Sequence, residues 1–337
     1  MPHSIFLIAH TAIGVMVNPT DPKLQGFDLI SAAYKTVGDH AIRTDILVPQ
    51  APHTGRRPTI IRFHGGGLMI ADSLFMAFWA PWLSDLALEH GAVIISPNYR
   101  LMPQANGLDI LEDIEDLWKW VNSSAVQDLL AAHSIPTELD LSRVLVVGES
   151  AGGLLTLNFA LSHANEIRAA TACYPMADIS SFNSPAVAPP FGHHTPESIV
   201  NEALASERGK KIMTSWSEPE SLPFMLSAIE HGRLGEWYKR GTEGNPRAAL
   251  LSPMQRLQPG VGFPRGGIVC IHGKQDSVVP VSQSENFIAR AREITQGQAV
   301  NERLVLTVQD GEHGFDDIHY ETKWLKDTLT TAVETWL

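Results

Sequence analysis

The chain has 337 residues, of which 44% are hydrophobic and 18% are charged, and its formal net charge at pH 7 is −12. This apolar share is enough to build a buried core, which excludes an intrinsically disordered chain. The negative charge argues against a nucleic-acid-binding protein, since such a protein needs a basic surface to neutralise phosphates. Two cysteines are too few for a disulfide framework or a thiolate zinc site.

The composition also bears on membranes and targeting. No run of about 18 apolar residues occurs, so we expect no membrane-spanning helix and no stable membrane insertion. The first 17 residues are moderately apolar, but the first lysine is Lys23, so the positive start of a secretory signal is missing. We therefore expect a soluble cytoplasmic protein. Residues 1–31 are predicted to be an N-terminal segment that forms part of a cap.

Apolar runs and helical patterns alternate along the chain. A hairpin is predicted over residues 32–48, with Gly38-Asp39 at its turn. The helical patterns cover residues 108–121, 284–294 and 323–336. The other apolar runs do not alternate with polar residues, as is typical of strands buried on both faces; they are 59–63, 92–96, 143–147, 169–174, 267–271 and 303–308. This order predicts an α/β fold with a mostly parallel sheet and helices on both faces.

The predicted helix at residues 108–121 carries four acids opposite its apolar stripe: Asp109, Glu112, Asp113 and Asp116. A metal site is one interpretation of this cluster. A solvated helix face, with acids near the helix N-terminus, is the interpretation we favour.

Residues 179–250 interrupt the alternation, because they contain no clear strand and seven prolines. We expect this stretch to be an inserted, mostly helical cap that divides the core into residues 32–178 and 251–337. Its aromatic and methionine side chains either pack as the cap's own core or line a substrate pocket. The candidates for substrate binding are Phe182, Trp216, Phe224 and Met225.

The motif Gly-Glu-Ser-Ala-Gly-Gly at residues 148–153 is the strongest local signal. It follows one predicted strand and precedes an apolar helix. The small residues Gly148 and Gly152 permit a tight strand-to-helix turn that lifts the hydroxyl of Ser150 above the sheet edge. We therefore predict that Ser150 is a nucleophile.

A second motif, His-Gly-Gly-Gly at residues 64–67, follows the predicted strand at 59–63. Its backbone N–H groups at Gly65 and Gly66, with the N–H of Ala151, are predicted to form an oxyanion hole. A phosphate-binding loop is the alternative. We reject it because Gly273-Lys274 is followed by glutamine, and no Walker or dinucleotide-binding pattern occurs.

A serine nucleophile needs a neighbouring base, and the base needs an orienting carboxylate. In the chain order expected for this turn, the acid precedes the histidine. Asp276 follows the predicted strand at 267–271, and His313 follows the strand at 303–308. Both lie where open α/β sheets place their sites, at the carboxyl ends of strands. We predict Asp276 as the acid and His313 as the base.

Other acids and histidines compete for these two roles. Asp310 is interpreted as a turn residue, and His272 as a structural residue. Asp316 and Asp317 are interpreted as the start of the last helix, where acids suit the helix dipole.

Taken together, these motifs resemble the α/β-hydrolases. The resemblance is to the hormone-sensitive-lipase-like serine esterases, and to the α/β-hydrolase-3 type enzymes of filamentous fungi. It covers residues 32–337 and also rests on Tyr-Arg-Leu at 99–101, His-Gly-Lys-Gln-Asp-Ser-Val-Val-Pro at 272–280 and Gly-Glu-His-Gly-Phe at 311–315. Two residues depart from the pattern: Glu149 and Gln104 stand where many relatives have Asp and Glu.

The resemblance implies an enzyme that cleaves a carboxylic ester of a small, largely apolar molecule through an acyl-enzyme. It implies the triad Ser150, His313 and Asp276, with no cofactor and no metal. Many of the fungal relatives belong to natural-product metabolism. Related esterases often pair through the edge of the last strand, here residues 303–308, which makes a homodimer an expectation.

Two further functions stay open on the sequence. The same triad serves thioesterases, lactone-forming or cyclising enzymes and acyl transferases. A non-catalytic small-molecule binding protein is a third hypothesis, and the presence of His313 argues against it.

Overall fold

The computed structural model describes residues 21–206, 209 and 211–337. Within these residues, eight strands form one sheet. Their bounds are β1 Phe27–Val37, β2 His40–Pro49, β3 Arg57–Phe63, β4 Val93–Pro97, β5 Leu139–Glu149, β6 Ala169–Cys173, β7 Ile268–Gly273 and β8 Leu304–Gln309. The spatial order is β1-β2-β4-β3-β5-β6-β7-β8. The β1–β2 and β2–β4 pairs are antiparallel, and the remaining neighbours are parallel.

Helices cover both faces of this sheet. In the described residues they are α1 Pro81–Glu89, α2 Gly107–Val121, α3 Ser124–Ala131, α4 Ala151–Ser162, α5 Ser198–Ala205, α6 Ser221–Glu230, α7 Arg233–Lys239, α8 Pro253–Arg256, α9 Ser282–Ile294 and α10 Lys323–Trp336. One apolar core joins the sheet to α1 and α10, and the other joins it to α2, α4 and α9. Adjacent strand residues such as Ile60 and Ile61 belong to opposite cores, which explains the absence of alternation in the sequence. The predicted α/β fold, with a mostly parallel sheet and helices on both faces, is confirmed.

The N-terminal boundary of the sheet differs from the prediction. Strand β1 begins at Phe27, so residues 27–31, which were assigned to the N-terminal segment, lie in the sheet. The first 20 residues of that segment lie outside the described part of the chain. At the other edge of the sheet is β8, the strand through which a homodimer is expected, and that dimer stays a prediction.

The acids of α2 do not all face solvent. Asp113 is fully buried, and its Oδ1 lies 2.8 Å from both Lys35 Nζ and Arg100 Nη2. The interpretation of the four acids as a solvated face was therefore wrong for Asp113. The reason is long-range: Lys35 on β1 and Arg100 after β4 bring two cations to this carboxylate, and a buried charge requires such partners.

The cap region (residues 179–250) lies between β6 and β7 and holds α5, α6 and α7. Its described residues contribute no strand to the sheet. An isolated bridge connects it to the loop after β3, because the Ala71 N–H donates to the Trp216 carbonyl at 2.7 Å and the reverse bond is 3.0 Å. The cap region is thus joined to the segment that follows the glycine loop.

Candidate active site

Ser150 lies on the tight turn between β5 and α4. Its backbone angles are φ 56° and ψ −116°, a strained conformation for a residue with a side chain. The turn also brings backbones very close together: a Cβ atom at Gly152 would lie 1.9 Å from the Phe63 carbonyl oxygen, and one at Gly148 would lie 2.3 Å from the Gly152 oxygen. These contacts are the physical reason for the small residues on either side of Ser150.

The structure brings the three predicted residues of the triad together. His313 Nε2 is 2.9 Å from Ser150 Oγ, and His313 Nδ1 is 2.7 Å from Asp276 Oδ2. The other oxygen of Asp276 accepts the N–H groups of Val278 and Val279 at 2.9 and 2.8 Å. The result is a continuous line of hydrogen bonds from a buried carboxylate to a hydroxyl.

A second histidine also contacts the acid. His272 is fully buried, and its Nε2 is 3.2 Å from Asp276 Oδ2. Burial by itself raises the pKa of Asp276, but the hydrogen bonds from His272 and His313 outweigh burial and lower the pKa to about 2. Asp276 is therefore ionised at neutral pH, as a carboxylate that stabilises an imidazolium must be. The sequence indicated only a structural role for His272 and did not reveal its contact with Asp276.

The glycine loop at residues 64–67 borders the hydroxyl of Ser150. The Gly65 N–H donates to Glu149 Oε1 at 2.9 Å, so it is occupied within the protein. The assignment of Gly65 to the oxyanion hole is corrected on this ground. Gly66 and Gly67 also line the cavity, both with positive φ, of 98° and 61°. A Cβ atom at Gly66 would lie 2.4 Å from the Ile70 carbonyl oxygen, so this position requires glycine.

Glu149 is buried next to Ser150 and pairs with the guanidinium of Arg62. Burial raises the pKa of Glu149 to about 7, against the lowering effects of Arg62 and of the Gly65 N–H. The Arg62 guanidinium also lies 4.4 Å from the ring centre of Trp79, a residue of the cavity wall. The sequence marked Glu149 only as a departure from the family pattern.

His64 holds the start of the glycine loop. Burial, with the nearby Arg62 charge, lowers the pKa of His64 to about 4, so the imidazole is neutral at pH 7. It stacks on Tyr99 with ring centres 4.2 Å apart, and the Tyr99 hydroxyl donates to the His64 carbonyl at 2.7 Å. The Tyr-Arg-Leu motif thus supports the loop from the neighbouring strand end.

An apolar cavity opens over Ser150 and His313. It encloses about 840 Å³, including the part that is open to solvent. Most of its wall is apolar, and these residues come from the loop after β3, the loop after β6, the cap region and the acid's own loop: Ala77, Phe78, Trp79, Met176, Phe191, Leu222, Met225, Ile229 and Val278.

Of the four predicted substrate-binding residues, Met225 lines this cavity. Phe182, Trp216 and Phe224 do not. The ring of Phe224 lies 4.9 Å from that of Trp216 and 5.9 Å from that of Trp237, so these aromatics form the interior of the cap region. Phe182 is buried in a 3-10 turn that packs on α7. The sequence pattern that could have indicated the cavity-lining residues is the spacing of Leu222, Met225 and Ile229, which lie on one face of α6.

The interpretation of Asp316 as a helix start was also wrong, because α10 begins seven residues later, at Lys323. Asp316 is buried, and it accepts the Trp82 Nε1 hydrogen at 3.0 Å and the Tyr174 hydroxyl at 2.8 Å. The Tyr174 ring lies edge-on to the His313 ring, with centres 4.6 Å apart. Asp316 therefore holds Tyr174, which packs against the His313 ring.

Comparison with known proteins agrees with the fold. Residues 60–210 match the family model described as the alpha/beta hydrolase fold. The probable carboxylesterase M8 of Phoma sp. is 28% identical to the chain over 322 residues. This match covers 92% of this chain and 96% of that protein. The chain therefore has the alpha/beta hydrolase fold and is similar to a carboxylesterase over most of its length.

The chain is also similar to a solved esterase structure and to part of a polyketide synthase. The chain shares its fold with the crystal structure of esterase B from Lactobacillus rhamnosis, at a TM-score of 0.59 and 17% identity, and the match covers 93% of this chain and 85% of that one. It is also 28% identical to part of the non-reducing polyketide synthase Preu6 of Preussia isomera, over 78% of this chain and 13% of the synthase.

None of the helices in the described residues combines the length and apolar character needed to cross a membrane.

Proposed function

We propose that this α/β-hydrolase is a serine carboxylesterase that cleaves esters of small, largely apolar molecules through an acyl-enzyme. The observation that carries the proposal is the line of hydrogen bonds from Asp276 through His313 to Ser150, which ends in an apolar cavity. Each neighbouring pair is within hydrogen-bond distance, and the Ser150–His313 pair is close enough for proton transfer.

In the first half-reaction Ser150 Oγ attacks the carbonyl carbon of the ester while His313 Nε2 accepts the hydroxyl proton. The carbonyl π electrons move to oxygen, and the N–H groups of Gly66 and Ala151 stabilise that oxyanion. The oxyanion then re-forms the carbonyl and breaks the bond to the alkoxy oxygen. That oxygen takes the proton from His313, and the alcohol leaves.

In the second half-reaction a water attacks the acyl-enzyme and gives its proton to His313. The tetrahedral species collapses, Ser150 leaves and recovers that proton, and the carboxylic acid is released. Asp276 stays ionised throughout and stabilises the imidazolium, in keeping with its low pKa. The apolar face of α6 that includes Met225 is suited to hold the acyl chain.

The proposal is tested by removing the nucleophile. We expect Ser150→Ala to lower kcat/KM for a p-nitrophenyl ester by at least about 10⁴-fold, as in other serine hydrolases. It should also abolish labelling by a fluorophosphonate probe. Ser142→Ala is the matched control, since Ser142 is exposed on the same strand. A folded Ser150→Ala protein that keeps full activity would contradict the mechanism, and a folded wild-type protein that takes no label would favour the binding-protein hypothesis.

A second candidate function changes the acyl donor or acceptor at the same site. It is favoured by the similarity to part of a polyketide synthase. Here Ser150 would receive the acyl group from a thioester or ester and pass it to water, to an internal hydroxyl or to another acceptor, with a role in natural-product metabolism. Matched thioester and oxygen-ester substrates with the same acyl group, measured by product mass, distinguish the two functions.

A further inference from the structure

Two neighbouring loops carry the acid and the base of the proposed mechanism. The acid loop (residues 274–279) follows β7, and the base loop (residues 310–314) follows β8. Gln275 joins them, because its backbone N–H donates to the Gly311 carbonyl at 3.0 Å and its Oε1 accepts the Gly311 N–H at 2.6 Å. The two loops therefore pack as one unit.

Glu312 adds a second joint, much closer to the reacting groups. Its Oε1 accepts the N–H of Ser277 at 2.6 Å and the N–H of His313 at 2.7 Å. One carboxylate oxygen thus holds the residue that follows Asp276 and the backbone of the base itself. The mechanism makes no use of Glu312, and its side chain is only partly exposed.

The same line of contacts continues into the cap region. Ser277 Oγ accepts the N–H of Phe191 at 2.8 Å. Phe191 has a positive φ of 55°, lines the cavity, and places its ring centre 6.4 Å from that of His313. A left-handed conformation in a residue with a side chain persists only where its surroundings hold it, and this hydrogen bond is one such restraint.

We propose that Glu312 is a positioning residue that sets the distance between His313 and Ser150, and that Ser277 extends this control to Phe191 at the cavity wall. The inference rests on the proposed esterase function. Glu312 fixes the base loop to the acid loop, so its loss lets the imidazole move relative to the hydroxyl. A misplacement of about 1 Å is enough to reduce a catalytic rate about 100-fold.

The first experiment removes and then restores the acceptor oxygen. We expect Glu312→Ala and Glu312→Met to lower kcat for a short p-nitrophenyl ester by roughly 10- to 100-fold, with KM changed less than about threefold. Glu312→Gln keeps a carbonyl oxygen at the same place and is expected to retain kcat within about threefold of the wild type. Glu302→Ala is the control, because Glu302 is exposed at the opposite end of β8.

The second experiment separates the two halves of the proposal. Ser277→Ala keeps its backbone N–H on Glu312 but loses the acceptor for Phe191. We expect it to leave kcat for an acetyl ester within about twofold of the wild type and to change KM for an octanoyl ester by about threefold or more, because the cavity wall moves but the base does not.

The outcomes distinguish the positioning role of Glu312 from the proposed esterase function on which it rests. Wild-type protein that cleaves no ester and takes no fluorophosphonate label would contradict the proposed function. If the wild type is active, a folded Glu312→Met variant with kcat within twofold of it overturns the positioning role. Equal losses in the Gln and Met variants overturn it too, since the acceptor oxygen would then not matter. The methionine side chain has nearly the length of glutamate, so this test holds even where the alanine variant does not fold.

Discussion

The positions of Ser150, Asp276 and His313 were predictable one by one, because each follows a strand in a local motif. Gly65 was not. Whether its N–H is free depends on the carboxylate of Glu149, which lies 84 residues away in the chain and reaches the loop only in the folded protein. The sequence of a glycine loop thus indicates which backbone groups are flexible and close to a ligand, but the partners that remove donors from the site are long-range.

Gly66 gives a prediction for a single residue. Gly66→Ala places a methyl group against the Ile70 carbonyl and keeps a φ of 98° that alanine avoids, so the glycine loop must shift. We expect kcat to fall by about 10²- to 10³-fold, the range found when an oxyanion donor is lost, with little change in KM. Gly55→Ala is the control, since Gly55 also has a positive φ, of 77°, but has nothing within 4 Å of the added carbon. Equal kcat in both variants would remove Gly66 from the oxyanion hole.

The elements differ in how much of them the sequence shows. Strand β4 was predicted within one residue at each end, because a strand buried on both faces is a largely unbroken apolar run. Helix α6 was harder, since apolar residues occupy both of its sides. Phe224 faces the interior of the cap region and Met225 faces the cavity. Which side meets the substrate is set by how the helix packs on the glycine loop, and that packing is tertiary.

Because Met225 of α6 lines the cavity, we expect a larger side chain at this position to change the acyl-chain selectivity. Met225→Trp fills part of the cavity, so we expect kcat/KM for a p-nitrophenyl octanoate to fall about tenfold or more while the acetate changes less than about threefold. Phe224→Leu, on the other side of the helix, should lower the free energy of unfolding by about 1–2 kcal/mol and leave the octanoate-to-acetate ratio unchanged. Activity with a series of acyl chains and thermal denaturation measure both. If Phe224→Leu changes the octanoate-to-acetate ratio and Met225→Trp does not, the acyl chain lies on the Phe224 side of α6, which contradicts the prediction.

At the scale of the whole molecule, the sequence did not predict which charged residues pair in the interior. Arg62 and Glu149 pair beneath the glycine loop, and Lys35, Arg100 and Asp113 pair under α2. Composition and periodicity give the apolar cores, because burial of apolar surface follows local patterns. An ion pair in the interior requires two chain segments to meet, and neither segment carries a local sign of its partner. The charges that support the site are therefore a property of the complete fold.

Glu149 makes the stability of the whole molecule depend on pH. The unfolded chain loses this proton near the ordinary pKa of 4.5, whereas burial in the folded protein raises the pKa to about 7. Between these values the native state binds more protons, so Glu149 makes the free energy of unfolding fall as the pH rises, by on the order of 3 kcal/mol in all.

Glu149→Gln removes this titration. We expect the melting temperature of the wild type, relative to the variant, to decline from pH 5 to pH 8. His64 and Asp276 also have shifted pKa values, but both groups are present in the wild type and in the variant, so their effects cancel in the difference between the two melting temperatures. Glu302→Gln, at an exposed position, serves as the control. Melting temperatures that stay parallel between wild type and Glu149→Gln over this range would show that Glu149 is already ionised at pH 5, held by Arg62 in spite of its burial.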